Sequence, residues 1–384
     1  MPLTVSNTRA GRYVKQPTGY SSYKPNGLPP LPALEVDAEM LALLSKADQC
    51  LGRLDGVTQT LPNPDLFVSM YVKKEALLSS QIEGTQASLA EVLVAEERQT
   101  QDAREVTNYV NAMNYGIERL RDFPMSLRLI REIHGKLLAS GRGSNRHPGE
   151  FRTSQNWIGG AGCTLANAAY VPPCVDDLTD ALGDLERYIH EDDGLPPLIK
   201  IALIHAQFET IHPFIDGNGR MGRLLITFWL CQQDILSRPL LYLSYYFKRN
   251  RTEYYDRLMA IRHKGEWEEW VKFFLRGIIE ISEESSESAT RINRLRETKV
   301  ALIDSIGGAS AANARKFLDL LLITPTITRV GAADRLGISR PTAAALIDRF
   351  MNDFAVLVDA SPDMARGKTY VFKEYMDILE VGTD

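Results

Sequence analysis

Cysteine is scarce in this chain. The 384 residues hold four, Cys50, Cys163, Cys174 and Cys231, with no C-x-x-C pair. Such spacing excludes a disulfide scaffold and a zinc ribbon. It is expected of reduced thiols in a cytosol-like compartment. Long apolar runs are missing too. No stretch approaches the ~20 residues of a membrane helix, and the first fifteen residues lack the apolar core of a signal peptide. A cytoplasmic protein with no membrane partner is expected. Excess charge of one sign is also absent. Lys and Arg number 44 against 49 Asp and Glu, a net charge of -5. That balance argues against a general nucleic-acid coat and leaves room for a local basic patch. What remains is an ordinary globular composition, 44% hydrophobic and 24% charged, in a chain long enough for two or three domains.

Residues 1–35 are rich in Pro, Gly, Ser and Tyr and end in Leu28-Pro29-Pro30-Leu31-Pro32. Repeated proline predicts an extended arm. Helical periodicity starts near Val36 and continues, with breaks at Pro62–Pro64 and Pro124, through a helical region 36–118 and a core 119–280. Gly84 stands where a helix from about Asp65 should end. Between 140 and 173 the texture changes to Gly, Asn and Pro. Gln155-Asn156-Trp157-Ile158 and Ala169-Tyr170-Val171 read there as one β-hairpin. A helical linker 281–308 leads to a last domain, 309–384. In it, helices over Thr326–Leu336 and Ser339–Phe350 flank Gly337 with helix-turn-helix spacing. Phe354–Val358 and Thr369–Phe372 follow as a two-stranded wing. The expected fold is mainly α: an all-helical core with a small β-hairpin flap, plus a C-terminal winged helix.

The chemistry concentrates in His212-Pro213-Phe214-Ile215-Asp216-Gly217-Asn218-Gly219-Arg220-Met221-Gly222-Arg223. Pro213 disfavours α geometry at His212 and ends the preceding helix. Gly217, Asn218 and Gly219 tolerate positive φ, and successive N–H groups in such a turn converge into an anion nest. The nest opens a helix whose N-terminus adds partial positive charge. Arg220 and Arg223 lie three apart on one face, a pair suited to two phosphates. Asp216 is a hard oxygen ligand for Mg²⁺. His212 is the one group of the motif that titrates near neutrality, and so its candidate base. These parts imply transfer from a nucleoside polyphosphate. A metal-hydrolase reading rests on His205, Glu209 and His212 at i, i+4 and i+7. It lacks the His-Glu-x-x-His spacing and leaves both arginines unused.

The motif resembles that of the Fic family, His-Pro-Phe-x-Asp/Glu-Gly-Asn-Gly-Arg-x-x-Arg, at every specified position. The resemblance implies a protein adenylyltransferase that moves AMP from ATP to a Ser, Thr or Tyr hydroxyl. His212 would be the general base, Asp216 the Mg²⁺ ligand, and Gly217, Asn218 and Gly219 the phosphate cradle. Arg220 and Arg223 would contact the outer phosphates. Ser79-Ser80-Gln81-Ile82-Glu83-Gly84 resembles the family's inhibitory motif, whose glutamate, here Glu83, pairs with the last arginine, here Arg223. Pro148–Arg152 and the segment to Gly160 resemble the flap, with Ile158, Gly159 and Gly160 bordering the nucleotide. Tyr254 and Tyr255 resemble the adenine-side pair. Arg262 stands where some relatives carry Asn, which puts that contact in doubt. Residues 161–168 are an insertion in the flap.

Two further readings follow from the same resemblance. One is removal of AMP, with Glu83 aligning a water. The other is a nucleotide-sensing transcriptional regulator acting through the winged helix. For the latter, Arg340, Arg349, Arg366 and Lys368 are candidate DNA contacts. Residues 309–384 nevertheless carry nine basic and ten acidic side chains, a poor footprint for DNA. A protein partner or homodimer support is favoured there.

Overall fold

The computed structural model describes residues 8–59, 61, 64–92, 100–160, 162–305, 308–364 and 367–381. The chain opens with strands β1 (Gly11–Lys15) and β2 (Ser21–Pro25). The helices α1 (Ala38–Gln59), α2 (Pro64–Ile82), α3 (Leu89–Val92), α4 (Gln101–Arg119) and α5 (Leu127–Leu137) follow. After the flap come α6 (Val175–His190), α7 (Pro197–Ile211), α8 (Asn218–Gln232), α9 (Ser244–Arg249), α10 (Arg251–Lys264) and α11 (Trp267–Asp304). The C-terminal part holds α12 (Gly308–Ile323), β3 (Thr326–Thr328), α13 (Arg329–Leu336), α14 (Arg340–Asn352), β4 (Val358–Asp359), β5 (Thr369–Val371) and α15 (Lys373–Leu379). No helix among the described residues is long and apolar enough to cross a membrane.

Two helices form the centre. In α7 every residue from Leu198 to Ile211 is buried, and α8 is buried from Arg220 to Leu230. A helix apolar on all sides needs neighbours on all sides. Those of α7 are β2, α6, α8, α10 and α11, and those of α8 are α2, α4, α5 and α7. The loop joining α7 to α8 carries the motif. It therefore emerges from the most constrained part of the molecule. The 38 residues of α11, about 57 Å of helix at 1.5 Å each, line the core with Trp270, Phe274 and Ile278. The same helix packs on α12 and α15 further along.

The structure departs from the sequence expectations at several places. The arm is not simply extended: β1 and β2 form an antiparallel hairpin, with Gly11 opposite Pro25 and Lys15 opposite Ser21. Tyr23 is its anchor, fully buried, with its N–H donating to Val171 O at 2.9 Å. The alternation spans only five residues per strand, too few to stand out among the prolines and glycines. Thr326–Thr328 is a strand and not the start of a helix; Thr328 caps α13 by accepting from the Gly331 N–H at 3.0 Å. The wing strands are shorter than expected, and β3 joins them in the order β3-β5-β4, all antiparallel. Helices α9 and α15 were not legible in the sequence. Most of the expected linker, residues 281–304, is the C-terminal part of α11; residues 306 and 307 lie outside the described residues. Arg366 and Ala161 lie outside the described residues.

Gly116 shows how tightly α4 meets α8. A Cβ there would overlap the Phe228 ring, which is itself 1% exposed. Gly116→Ala gains helix propensity of about 1 kcal/mol but overpacks the core at a cost of about 1–3 kcal/mol. We expect a net loss in thermal and urea melts, relieved when Phe228→Leu is added. Stabilisation by Gly116→Ala alone would contradict this packing.

Candidate active site

The motif begins where α7 stops. His212 caps the helix in the left-handed region, φ 50 and ψ 61, with its N–H on Phe208 O at 2.9 Å. A non-glycine residue held there carries strain, and the surroundings explain how it is held. Arg152 donates from Nε to His212 O at 3.0 Å, from Nη2 to Pro173 O at 2.6 Å, and from its own N–H to Pro213 O at 2.9 Å. Asn156 Nδ2 donates to His212 O at 3.1 Å and to Phe214 O at 2.8 Å. The flap thus grips the loop by its carbonyls. Arg262 clamps the end of α7, donating to Glu209 O at 3.0 Å and Thr210 Oγ1 at 3.2 Å while lying over the Tyr170 ring. A cation suits the negative end of a helix. That is its place here, as a structural residue.

Asn218 closes the loop from within. Its Oδ1 accepts from Phe214 N and its Nδ2 donates to Phe214 O, both at 2.8 Å. The Asn218 side chain is therefore committed to Phe214. Only the Asn218 backbone N–H is left to face a ligand. Gly217 supplies the positive φ of 81. Because α8 starts at Asn218, the N–H groups of its first turn have no helical partner. Those N–H groups form the nest.

His134 was not singled out from sequence. It stacks on Phe214, with centroids 3.6 Å apart and planes 5° off parallel. Gly149 N–H donates to its Nδ1 at 2.9 Å, so Nε2 carries the proton and donates to Asp216 O at 2.9 Å. Burial pushes its imidazole down to about 4, which keeps this tautomer neutral. A lone histidine on the apolar face of α5 gave no signal beyond core packing.

Two arginines lie under the nest. Arg223 donates from Nε to Ser79 Oγ at 2.8 Å, and from Nη2 to Ser79 O at 2.9 Å and Glu83 Oε1 at 2.7 Å. Burial pushes the Glu83 carboxyl up, but the charge and hydrogen bond of Arg223, with Arg220 and His212 behind them, together outweigh it and the net shift is downward; the pair is ionised. A Cβ on Gly219 would overlap the Glu83 carboxylate. The carboxylate therefore sits over the first turn of α8, in the nest itself. Arg220 is 1% exposed, and none of its guanidinium nitrogens has a hydrogen-bond partner. Its nearest carboxylates are Asp216 at 3.7 Å and Glu105 at 3.9 Å. A buried guanidinium left without bonded partners is costly. Here it faces the place where an anion would complete it.

His212 lies beside this cluster, its Nδ1 3.9 Å from Glu209 Oε2. Burial, then the charges of Arg262 and Arg152, push it down to about 3, against the pull of Glu83. Burial pushes Glu209 up to about 7. The metal-hydrolase arrangement is not assembled. Both ring nitrogens of His205 are engaged, with Gly222 O and the Tyr254 hydroxyl, each at 2.9 Å. No group of three metal-binding side chains occurs among the described residues. Gly222 is fixed by close approach, since a Cβ there would overlap Glu209.

The flap and the tyrosine pair are placed as follows. Ile158 bridges Tyr170 across the flap. Gly159 packs on the Cys163 side chain, and Gly160 has open space where a side chain would be. Tyr254 is 1% exposed, stacked on Phe247 with its hydroxyl on His205. Tyr255 is 38% exposed. Of the pair, only Tyr255 offers a ring face to a ligand.

These groups set the acid stability. His134, His205 and His212 are pushed down to about 4, 3 and 3 from 6.5. Below pH 6.5 the unfolded chain binds protons that the folded one refuses, so each histidine costs stability as pH falls. Glu75 and Glu209 are pushed up by burial to about 7 from 4.5. Between pH 4.5 and 7 they act in the opposite sense, since there the folded chain binds the proton. Two of the three histidines are offset in this way, which leaves a gentle slope down to about pH 4.5. Below it the histidines act unopposed, each at about 1.4 kcal/mol per pH unit. We expect a melting temperature that declines gently from pH 7 to 4.5 and steeply below. A steep fall already at pH 6 would contradict these environments.

Comparison with known proteins fits this geometry. Residues 41–118 match the Fic/DOC family N-terminal region and residues 124–230 match the Fic/DOC family. Proteins described as protein adenylyltransferase Fic are similar in sequence. That of Drosophila grimshawi is 29% identical over 216 residues, 52% of this chain and 41% of its own length. That of Aedes aegypti is 29% identical over 204 residues, 50% of this chain and 37% of its own. The chain thus spans about two fifths of these relatives. Among solved structures, a Fic family protein from Desulfovibrio desulfuricans superposes with a TM-score of 0.57 at 21% identity, covering 88% of this chain and 97% of its own. A Fic domain containing signaling protein from Bacteroides thetaiotaomicron gives 0.51 at 17% identity, covering 65% and 97%. Both likenesses concern the fold.

Proposed function

We propose that this chain, whose residues 41–118 and 124–230 match the Fic/DOC family models, is a protein adenylyltransferase held inactive by Glu83. One observation carries the reading. The last arginine of an anion site, Arg223, is paired with a carboxylate of the same chain, while its neighbour Arg220 has no hydrogen-bond partner. A carboxylate over the nest removes the cation meant for an outer phosphate and places negative charge where the nucleotide must go.

With Glu83 displaced, the phosphates of ATP would lie on the first-turn N–H groups of α8, between Arg220 and Arg223. His212 takes the proton of a Ser, Thr or Tyr hydroxyl of a protein target. The oxygen attacks the α-phosphorus, the bond to the β-phosphate bridge breaks, and pyrophosphate leaves. The low proton affinity of His212 belongs to the closed arrangement. Phosphate charge beside it raises that affinity, so the base strengthens as the nucleotide arrives. Asp216 would hold Mg²⁺: its carboxylate is a hard oxygen donor beside the nest, and its side chain is 31% exposed. A single carboxylate suits an ion that takes most of its ligands from phosphate and water and neutralises phosphate charge. Tyr255, Ile158 and Gly160 would border the base and ribose side.

We read the C-terminal part as a winged helix that serves protein contacts. Several of its basic groups are neutralised within the chain: Arg329 with Asp348 at 2.7 Å, Arg349 with Asp353 at 3.3 Å, Lys368 with Asp359 at 2.6 Å. Arg335 donates to Thr324. We expect no salt-dependent shift of duplex DNA by the full chain at low ionic strength. A shift abolished by Arg340→Ala would restore the regulator reading.

The direct test uses α-labelled ATP. Wild type should label itself or an extract faintly. Glu83→Gly should label about tenfold faster or more, the factor that matches removal of roughly 1.4 kcal/mol of competing interaction. Ser79 still holds Arg223 in that variant, which favours its folding. Adding His212→Ala should abolish the signal. Equal labelling with and without His212 would sink the mechanism.

A further inference from the structure

Glu83 lies just past the end of α2, on a turn that must itself be held. Within the turn, Glu83 N–H donates to Ser80 O at 3.0 Å, Gly84 N–H to Gln81 O at 3.0 Å and Thr85 N–H to Ser80 O at 3.2 Å. These fix the backbone locally. The two bonds from Arg223 to Ser79 hold the end of α2 against α8, and the turn beyond it is held from outside. Arg142 donates from Nη2 to Glu83 O at 3.1 Å. The Arg142 backbone N–H donates to Glu105 Oε1 at 3.0 Å, and Thr85 Oγ1 donates to Glu105 Oε2 at 3.2 Å. One buried carboxylate on α4 thus ties together the residue two past Glu83 and the residue that holds the Glu83 carbonyl. Asp102, one turn earlier on α4, accepts from Gln86 N–H at 2.6 Å.

The loop that presents Arg142 is tightly seated. Gly141 and Gly143 flank it at φ 78 and 86. A Cβ on Gly141 would lie 3.0 Å from Glu105 Cγ, and one on Gly143 2.9 Å from Asp216 Oδ2. The loop therefore fits between two carboxylates, with no room to slide. Arg142 itself is exposed. Its guanidinium has a bonded acceptor on the inhibitory turn, unlike that of Arg220.

We propose that Arg142 and Thr85 are positioning residues that latch the inhibitory turn, through Glu105 and the Glu83 carbonyl, so that Glu83 is held over the nest. This rests on the inhibitory reading of Glu83. Their action is on Glu83 alone. They contribute nothing to nucleotide binding once Glu83 is gone.

The test is the initial rate of AMP incorporation from α-labelled ATP by the full chain. Arg142→Ala and Thr85→Val, each with Glu83 intact, should raise the rate about three- to tenfold, the scale of one lost charge-assisted or buried hydrogen bond. Arg142→Lys should restore part of the inhibition. In the Glu83→Gly background both substitutions should leave the rate and the KM for ATP unchanged. That result also shows that the variants fold. Wild-type rates for both single variants beside a fast Glu83→Gly would overturn the latch and leave the inhibitory reading standing. A slower rate or higher KM when either is added to Glu83→Gly would overturn it too, because the residue would then serve the nucleotide site. A Glu83→Gly variant no faster than wild type would bring down both.

Discussion

Everything at this site hangs on the grip that holds the loop between α7 and α8. The loop contains a non-glycine residue at positive φ and a run of carbonyls that regular structure does not satisfy. Arg152 and Asn156 reach in from the flap, Asn218 reaches back from the helix that follows, and Arg262 covers the end of the helix before. His134 adds a stacked ring and a bond to Asp216 O. None of these side chains is aimed at a ligand. Together they decide where the nest, the base and the carboxylate stand, and they do so with neutral amides, a neutral imidazole and buried guanidinium groups whose geometry is rigid. Placement of this kind is what phosphoryl-transfer sites need most.

The electrostatics follow from that placement. A dry loop between two buried helices cannot leave charges scattered. The site holds Arg220 and Arg223 against Glu83, Glu105 and Asp216, with His212 forced neutral and Glu209 pushed toward its protonated form by burial. Glu83 completes this balance in the resting protein. On the function proposed above, a nucleotide replaces this one carboxylate with several phosphate charges, and Arg220, ion-paired at 3.7 and 3.9 Å but without a hydrogen bond, is the group in reserve for the difference.

Much of this was legible in the sequence, within limits that have physical causes. The nest, the base, the metal-type carboxylate and the two arginines fall within twelve residues, so their spacing alone places them on one turn and one helix face. The Fic/DOC resemblance extended that reading to Glu83, more than a hundred residues away. What linear spacing could not show was orientation. Asn218 points inward to Phe214, and Tyr254 is buried among aromatic rings while Tyr255 is not; each depends on packing against distant helices. Residues that act through backbone carbonyls, such as Arg152, Asn156 and Arg142, left no pattern of their own, because a carbonyl is present at every position. The short strands β3 and β4 and the helices α9 and α15 were hidden for a related reason. Segments of two to seven residues are too brief for a period to show, and neighbours rather than propensity set their form.

Helix α2, whose end carries Glu83, belongs to the same chain as Arg223, and that carries a kinetic consequence. A carboxylate tethered this way faces Arg223 at an effective concentration set by the chain and not by the amount of protein. Dilution does not relieve it, and neither scarcity nor abundance of a separate inhibitor changes it. On the inhibitory reading, the protein is silent from the moment it folds and at any expression level. Its output is then governed by how often the tethered end lets go, a property of one turn and its anchors.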